Sequence, residues 1–313
     1  MLLDEEGETA VELEEAFVTT QSLPAGLQLK AGHFFTEFGR LNQQHPHAWS
    51  FVSQPVINSR LLGPDGMRGP GARLSWLTPA PWYSELFAGV QQSSGETMPS
   101  FFGTSDGGAI GGHPNLGGRI KSPDDVLTTA RWLNSIPLTK QSTLNLGASY
   151  AAGPNGSGAG MRTGITGLDA YLKWQGAASA KGFPFVAWQS EWMRRRYDAG
   201  AFTDDAGVDV AQETLTDSGW YSQVTWGFRP GWTVGGRLDR ASGSRSLALS
   251  RGSDPLRDSR TRLSAALTWL PSEFSELRFE YDYDRAQFLP DRDAHALWIQ
   301  WKFTLGAHGA HQF

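Results

Sequence analysis

The stretch "LRFEYDYDRA", Leu277–Ala286, decides how this chain is read. Leu277, Phe279, Tyr281 and Tyr283 alternate with Arg278, Glu280, Asp282 and Asp284. Side chains of a strand point to opposite faces with a period of two, so this is a strand with one apolar, aromatic face and one charged face. The open question is which face lies inside.

The pattern recurs along the chain. "GWTVGGRLDR" sets Trp232, Val234 and Leu238 against Arg237 and Asp239; "TGLDAYLKWQ" sets Leu168, Leu172 and Trp174 against Asp169 and Lys173. "TRLSAALTWL" sets Leu263, Leu267 and Trp269 against Arg262, and "ALWIQWKFTL" sets Ile299, Trp301 and Phe303 against Lys302. "STLNLGASY" and "GWYSQVTWGFR" follow the same rule, and less regular runs lie near 9–19, 27–36, 72–78, 82–91, 126–136 and 183–197. About 13 strands are predicted, most near the 9–11 residues of a tilted membrane-crossing strand. No long helix is predicted; "QPVINSRLL" is read as a single short helical turn.

Composition narrows the classes. The 313 residues contain no Cys, which excludes disulfides and thiolate metal sites. A net charge of -5 does not point to nucleic acid. Thirteen Trp and 37 Gly suit many short strands and turns better than a helical core. No apolar run has the length of a membrane helix, and "MLLDEEGETA" does not read as a signal peptide.

Connections decide between a soluble sandwich, with its apolar face inside, and a membrane barrel, with its charged face inside. Short turns such as "LPAG", "TPAPW", "FRPGW" and "LPSEF" alternate with long polar loops near 38–71, 92–124, 152–165, 198–217, 241–259 and 286–294. Aromatics gather beside the short turns: Trp76, Trp82, Trp226, Phe228, Trp232 and Trp269. Both features match a transmembrane barrel with interfacial aromatics, short periplasmic turns and long outer loops. The expected fold is therefore all-β, one antiparallel transmembrane β-barrel spanning 1–313. Leu277, Phe279, Tyr281 and Tyr283 are expected on lipid, and the intervening charges in a water-filled interior.

"AGHFFTEFGRLNQQHPHAW", "LLGPDGMRGPGARLSWLTP", "YSELFAGVQQSSGET" and the terminal "GAHGAHQF" carry a resemblance to bacterial outer-membrane β-barrels of the porin type. They are most similar to a porin-sized group often labelled TonB-dependent outer-membrane receptor. The resemblance implies an outer-membrane location, contact with outer-membrane lipid and lipopolysaccharide, small solutes as cargo and a possible homo-trimer. It implies that the terminal Phe313 is read by the barrel-assembly machinery. A true receptor of that label has a plug inside about 22 strands, which this chain is too short to supply. The first strand leads into a short turn and the last follows a long loop, which puts residue 1 on the outer side. Single-chain bacterial barrels have even strand numbers, so an odd number of strands and a signal peptide are expected ahead of Met1, giving at least about 14 strands.

The inward positions supply candidate pore-lining charges: Arg73, Glu85, Arg131, Asp169, Lys173, Glu191, Arg237, Asp239, Arg262, Arg278, Glu280, Asp282 and Lys302. Their mixture predicts no strong ion preference. In "RRR", Arg194 and Arg196 share the parity of Trp188 and Trp192 and are placed on the lipid-side rim. The long segment 38–71 is the candidate constriction loop by resemblance, with Arg60, Asp65 and Arg68 as possible lining charges. His45 and His47, with His113, His308 and His311 elsewhere, are a weak metal candidate because a closed site needs about four ligands. "GTSDG" around Ser105 matches the letters of a nucleophile elbow but sits in a Gly-rich loop rather than between strand and helix. No enzyme chemistry and no cofactor are expected. The reading is a channel for passive diffusion of small hydrophilic solutes. The alternatives are specific or TonB-linked uptake of a metal complex or other solute, and a soluble ligand-binding β protein.

Overall fold

The computed structural model describes residues 2–3, 9–10, 13–104, 108–180, 182–249, 252–272 and 274–304. Met1, Ser105, His308, His311 and Phe313, all named above, lie outside the described residues. Thirteen strands form one antiparallel sheet in which each strand pairs with its sequence neighbours. They are β1 (Ala16–Thr19), β2 (Leu27–Phe35), β3 (Arg68–Leu77), β4 (Tyr83–Gln92), β5 (Val126–Thr139), β6 (Ser142–Pro154) and β7 (Arg162–Ala180). Then come β8 (Phe183–Ala199), β9 (Glu213–Arg229), β10 (Trp232–Gly243), β11 (Arg260–Ser272), β12 (Ser275–Ala286) and β13 (Asp293–Phe303). Among the described residues no helix is long and apolar enough to cross a membrane, which leaves crossing by strands untouched.

The sheet curls around one long segment. Residues 36–67 leave β2, run through the concave side and return to β3. Along the segment its contacts reach β6 and β8, then β13, then β12 and β10. One short stretch of this segment also joins the two sheet edges. His45 meets Glu14 and Glu15 beside β1, and the carbonyl of His47 accepts from Lys302 Nζ on β13 at 3.0 Å. The architecture is an antiparallel β-barrel filled from within.

Burial inverts the pattern of a water-soluble sheet. The convex face presents Leu168, Trp192, Trp226, Leu263, Trp269, Phe279 and Tyr281 to the outside, with Trp226 50% exposed. The concave face buries Arg131, Asp169, Glu191, Arg237, Asp239, Arg278 and Glu280, each at 6% exposure or less. In water, apolar exposure on this scale would drive association; on lipid it is the stable arrangement. Rings pair along the short-turn end, with Trp232 and Trp269 stacked at 5.8 Å and Trp226 and Phe228 tilted at 5.6 Å.

Two features depart from the sequence reading. β7, β8 and β9 run to 19, 17 and 17 residues, well beyond the bilayer length. Their upper parts carry polar residues on the outward face as well, such as Thr214, Thr216 and Ser218 on β9, which read as loop when apolar alternation is the criterion. Of the run near 9–19, Ala16–Thr19 joins the thirteen-stranded sheet, while Thr9–Ala10 pairs with Leu2–Leu3 in a separate two-stranded sheet.

Candidate functional site

The site is the interior at mid-height, where the 36–67 segment meets the wall. The segment enters through Gly39, whose φ of 60° is a left-handed conformation that suits glycine. Its N–H donates to Ser149 Oγ at 3.0 Å. The next two amides, of Arg40 and Leu41, both donate to Glu191 Oε1, at 3.2 and 2.7 Å. The Arg40 guanidinium lies 3.7 Å over the Tyr171 ring and donates to Gln189. Further on, Glu280 accepts from the Val52 amide and from the amide and hydroxyl of Ser53. Arg237 grips the same turn through Ser53 O at 2.7 Å and Ser53 Oγ at 2.6 Å.

The segment then forms a short helix, α1 (Val56–Leu62), where the sequence suggested one turn. Its first amide, of Val56, donates to Asp239 Oδ1 at 3.1 Å. Free amides and a partial positive charge at a helix start make a wall carboxylate a favourable partner. Three wall carboxylates, Glu191, Asp239 and Glu280, thus hold the loop by its own backbone. Hydrogen bonds to a charged acceptor contribute roughly 1.5–3 kcal/mol each.

Apolar packing completes the attachment. Phe38, Val56, Ile57, Leu61, Leu62 and Met67 form one buried cluster with Met98 and Phe101 of the next long loop and with Leu127, Ile165, Met193 and Tyr221 of the wall. The wall is thinned to glycine where the loop presses closest. A Cβ at Gly167 would stand 2.8 Å from the Phe38 ring, and one at Gly219 would stand 2.9 Å from Ile57 Cδ1. Ser100 Oγ ties the second loop to Leu61 O at 2.6 Å, and Arg195 holds Ser100 while bonding Asp217.

The candidate pore-lining residues fall on the concave face, but the site is drier than expected. Arg131 makes a two-point bond with Asp169 at 2.7 and 3.0 Å, both side chains 2% exposed. Arg73 meets Glu37 of the loop at 3.1 Å, and Arg237 meets Asp239 at 2.9 Å. Arg262 pairs with Asp284 at 3.0 Å, Arg278 with Glu276 at 2.6 Å and Lys302 with Glu276 at 3.0 Å. Asp282 accepts from Ser264 and from Trp298 Nε1. Lys173 is half-buried below Arg40, and Glu85 lies apart from the cluster near the short-turn end, accepting from Tyr83. The expectation of a solvated interior is corrected at this level: the loop fills the space that water was expected to occupy.

The candidate constriction charges are placed differently from a pore lining. Arg60 reaches outward to the Asp258 carbonyl at 2.7 Å, and burial lowers its pKa to about 10. Arg68 is buried against the Phe35 ring and donates to Asp65 O, while the Asp65 side chain is exposed. These groups brace the loop and the loops above it. Arg194 and Arg196 lie exposed on the outer face, and Arg195 between them is buried inside.

His45 is committed to carboxylates: Nδ1 lies 2.8 Å from Glu14 and Nε2 3.1 Å from Glu15, with His47 stacked at 5.4 Å. Among the described residues no group of three or more His, Asp or Glu is placed to hold a metal ion. A cluster that the sequence did not announce joins the long loops instead. His113 Nε2 and Ser246 Oγ both bond Glu213 Oε1, at 2.8 and 2.6 Å. The serine therefore meets the carboxylate and not the imidazole, which is not the nucleophile–base contact of a hydrolase. A cleft of about 580 Å³ opens between the loop that carries His113 and the 155–161 loop, lined by Phe102, Leu116, Arg119, Lys121, Asp124, Asp125, Met161 and Arg162. There the amides of Lys121 and Ser122 hold the Asp125 carboxylate below its usual range.

Comparison with known proteins adds the following. No family model matches the chain. An uncharacterized protein of Aquifex aeolicus is 30% identical over 324 residues, covering 99% of this chain. The chain spans 64% of the length of that relative. Among solved structures, the NanC porin aligns with 75% of this chain and 93% of its own, at 14% identity and a TM-score of 0.34. OmpT, an outer membrane protein of Vibrio cholerae, aligns with 90% of this chain and 73% of its own, at 7% identity and a TM-score of 0.47. Neither of these structures bears the TonB-dependent receptor label.

Proposed function

We propose that this chain forms the wall and internal constriction of a porin-like channel in a bacterial outer membrane, passing small hydrophilic solutes. The observation that carries the reading is the inverted burial. The convex face is apolar and aromatic, while the concave face is charged and holds a loop across the lumen. Selectivity in such a passage comes from its width and the charges beside it, with no covalent chemistry.

One observation favours a second reading, solute-specific uptake. The mid-height charges are paired and buried against the loop, and on this second reading the loop yields as each solute passes. A loop that must yield for each solute gives saturable transport, whereas a standing gap gives transport linear in concentration. A TonB link would need a partner-docking segment, and the described residues offer no argument for one. The soluble reading is disfavoured by the exposed Trp226, Phe279, Leu297 and Trp301.

The test is solute entry into vesicles carrying the refolded chain, with neutral sugars of increasing size. Rates that fall steeply with size and rise linearly with concentration support diffusion. Saturation at low concentration supports specific uptake. A chain that stays monodisperse in buffer without detergent overturns the membrane reading.

A further inference from the structure

The convex face is not apolar throughout. Near the long-loop end it turns basic. Arg194 and Arg196 on β8, Arg240 on β10 and Arg285 on β12 are all exposed and share the outward parity of Trp192, Leu238 and Tyr281. The register sets hydroxyls between them. Arg194 faces Ser218 on β9, Arg196 faces Thr216, and Arg240 and Arg285 both face Thr261 on β11. One step below, Trp192 and Trp220 are direct cross-strand partners, and Arg240 lies opposite Trp220.

The inner face uses arginine differently. There Arg131, Arg195, Arg237 and Arg257 all have carboxylate partners. On the outer band Arg196 meets Asp198 at 3.3 Å, with its side chain still 69% exposed. Asp293 lies opposite Arg285 in the register. Arg194 and Arg240 have no carboxylate partner among the described residues.

From this we infer that the band is a docking surface for phosphorylated lipid headgroups of the leaflet at the long-loop end. The inference rests on the membrane reading of the barrel. Guanidinium groups bind phosphate through two parallel N–H donors, and neighbouring hydroxyls supply further donors. The tryptophans beneath the band match the apolar side of a headgroup region, where one end of the ring is wet and the other dry. An unpaired arginine facing the hydrocarbon would be costly, whereas one at phosphate depth gains from the same geometry.

The test compares the refolded barrel with R194Q/R196Q/R240Q, with R229Q at the opposite end as control. Binding of a fluorescent bis-phosphorylated glucosamine lipid and of its phosphate-free analogue is measured in detergent, and insertion into vesicles is scored separately by flotation. The expected result is insertion by all proteins, and a loss of about tenfold or more in affinity for the phosphorylated lipid in the triple variant alone, because the guanidinium donors to phosphate are removed. Equal binding of both lipids by the parent, or equal affinity of parent and triple variant, overturns the proposal. Full competition by millimolar inorganic phosphate overturns it in favour of a free-anion site. If the parent does not float with vesicles, the membrane reading fails first and the docking surface with it.

Discussion

The backbone amide of Leu41 donates to the Glu191 carboxylate at 2.7 Å, across 150 positions of sequence. Glu191 stands on the inner wall, and Leu41 belongs to the segment that crosses the lumen. Tyr221 on the next strand donates to the same oxygen at 2.8 Å. One inward carboxylate thus joins two wall strands to the loop, and Asp239 and Glu280 repeat the arrangement further round.

The Arg131–Asp169 pair is predicted to behave as a buried ion pair. Replacing Asp169 alone by leucine should destabilise the barrel by roughly 3–5 kcal/mol, because Arg131 is left charged and dry. Changing both, Arg131→Met with Asp169→Leu, should recover most of that loss. A double-mutant cycle by denaturant unfolding in vesicles checks this; additive costs would contradict it.

Close packing of the loop on a thinned wall predicts a local clash. Gly167→Ala should cost about 1–3 kcal/mol, because its Cβ would meet the Phe38 ring at 2.8 Å. Phe38→Leu in the same chain should relieve part of the cost. Unfolding midpoints of the two single variants and the double variant decide it, and equal losses with and without Phe38 would show that the loop is not the obstacle.

The two faces of β12 should respond oppositely to charge. Phe279 is 40% exposed on the convex face, so Phe279→Arg would be nearly neutral in a water-soluble protein, within about 0.5 kcal/mol. On lipid it should cost roughly 2–4 kcal/mol near mid-bilayer. Folding yield into vesicles, compared with the same change at the outer-rim position Thr261, distinguishes the two.

Much of this arrangement is legible in the sequence because a strand's period of two is rigid. Leu277 to Asp284 sort onto the faces that their alternation predicts, and Arg195 separates from Arg194 and Arg196 by parity alone. The α1 turn is legible because "VINSRLL" is too short and too apolar for an exposed loop. The dryness of the interior is not legible. It depends on which wall carboxylate meets which loop amide, and those partners are 150–228 positions apart. The length of β9 is hidden because Thr214, Thr216 and Ser218 lack the apolar alternation that lipid imposes lower down. The meeting of His113, Glu213 and Ser246 has no local signal, since His113 and Ser246 are ordinary polar residues of two separate long connections and Glu213 merely opens β9.

The most direct test of a channel narrowed by a wall-held loop is single-channel conductance in planar bilayers, comparing the parent chain with the E191A/D239A/E280A variant. Salt-dependent steps are expected from both, with clearly larger steps from the variant, because the loop amides lose their wall acceptors and the segment withdraws from the lumen. Identical steps from the two proteins, or no steps from either despite insertion, would contradict it.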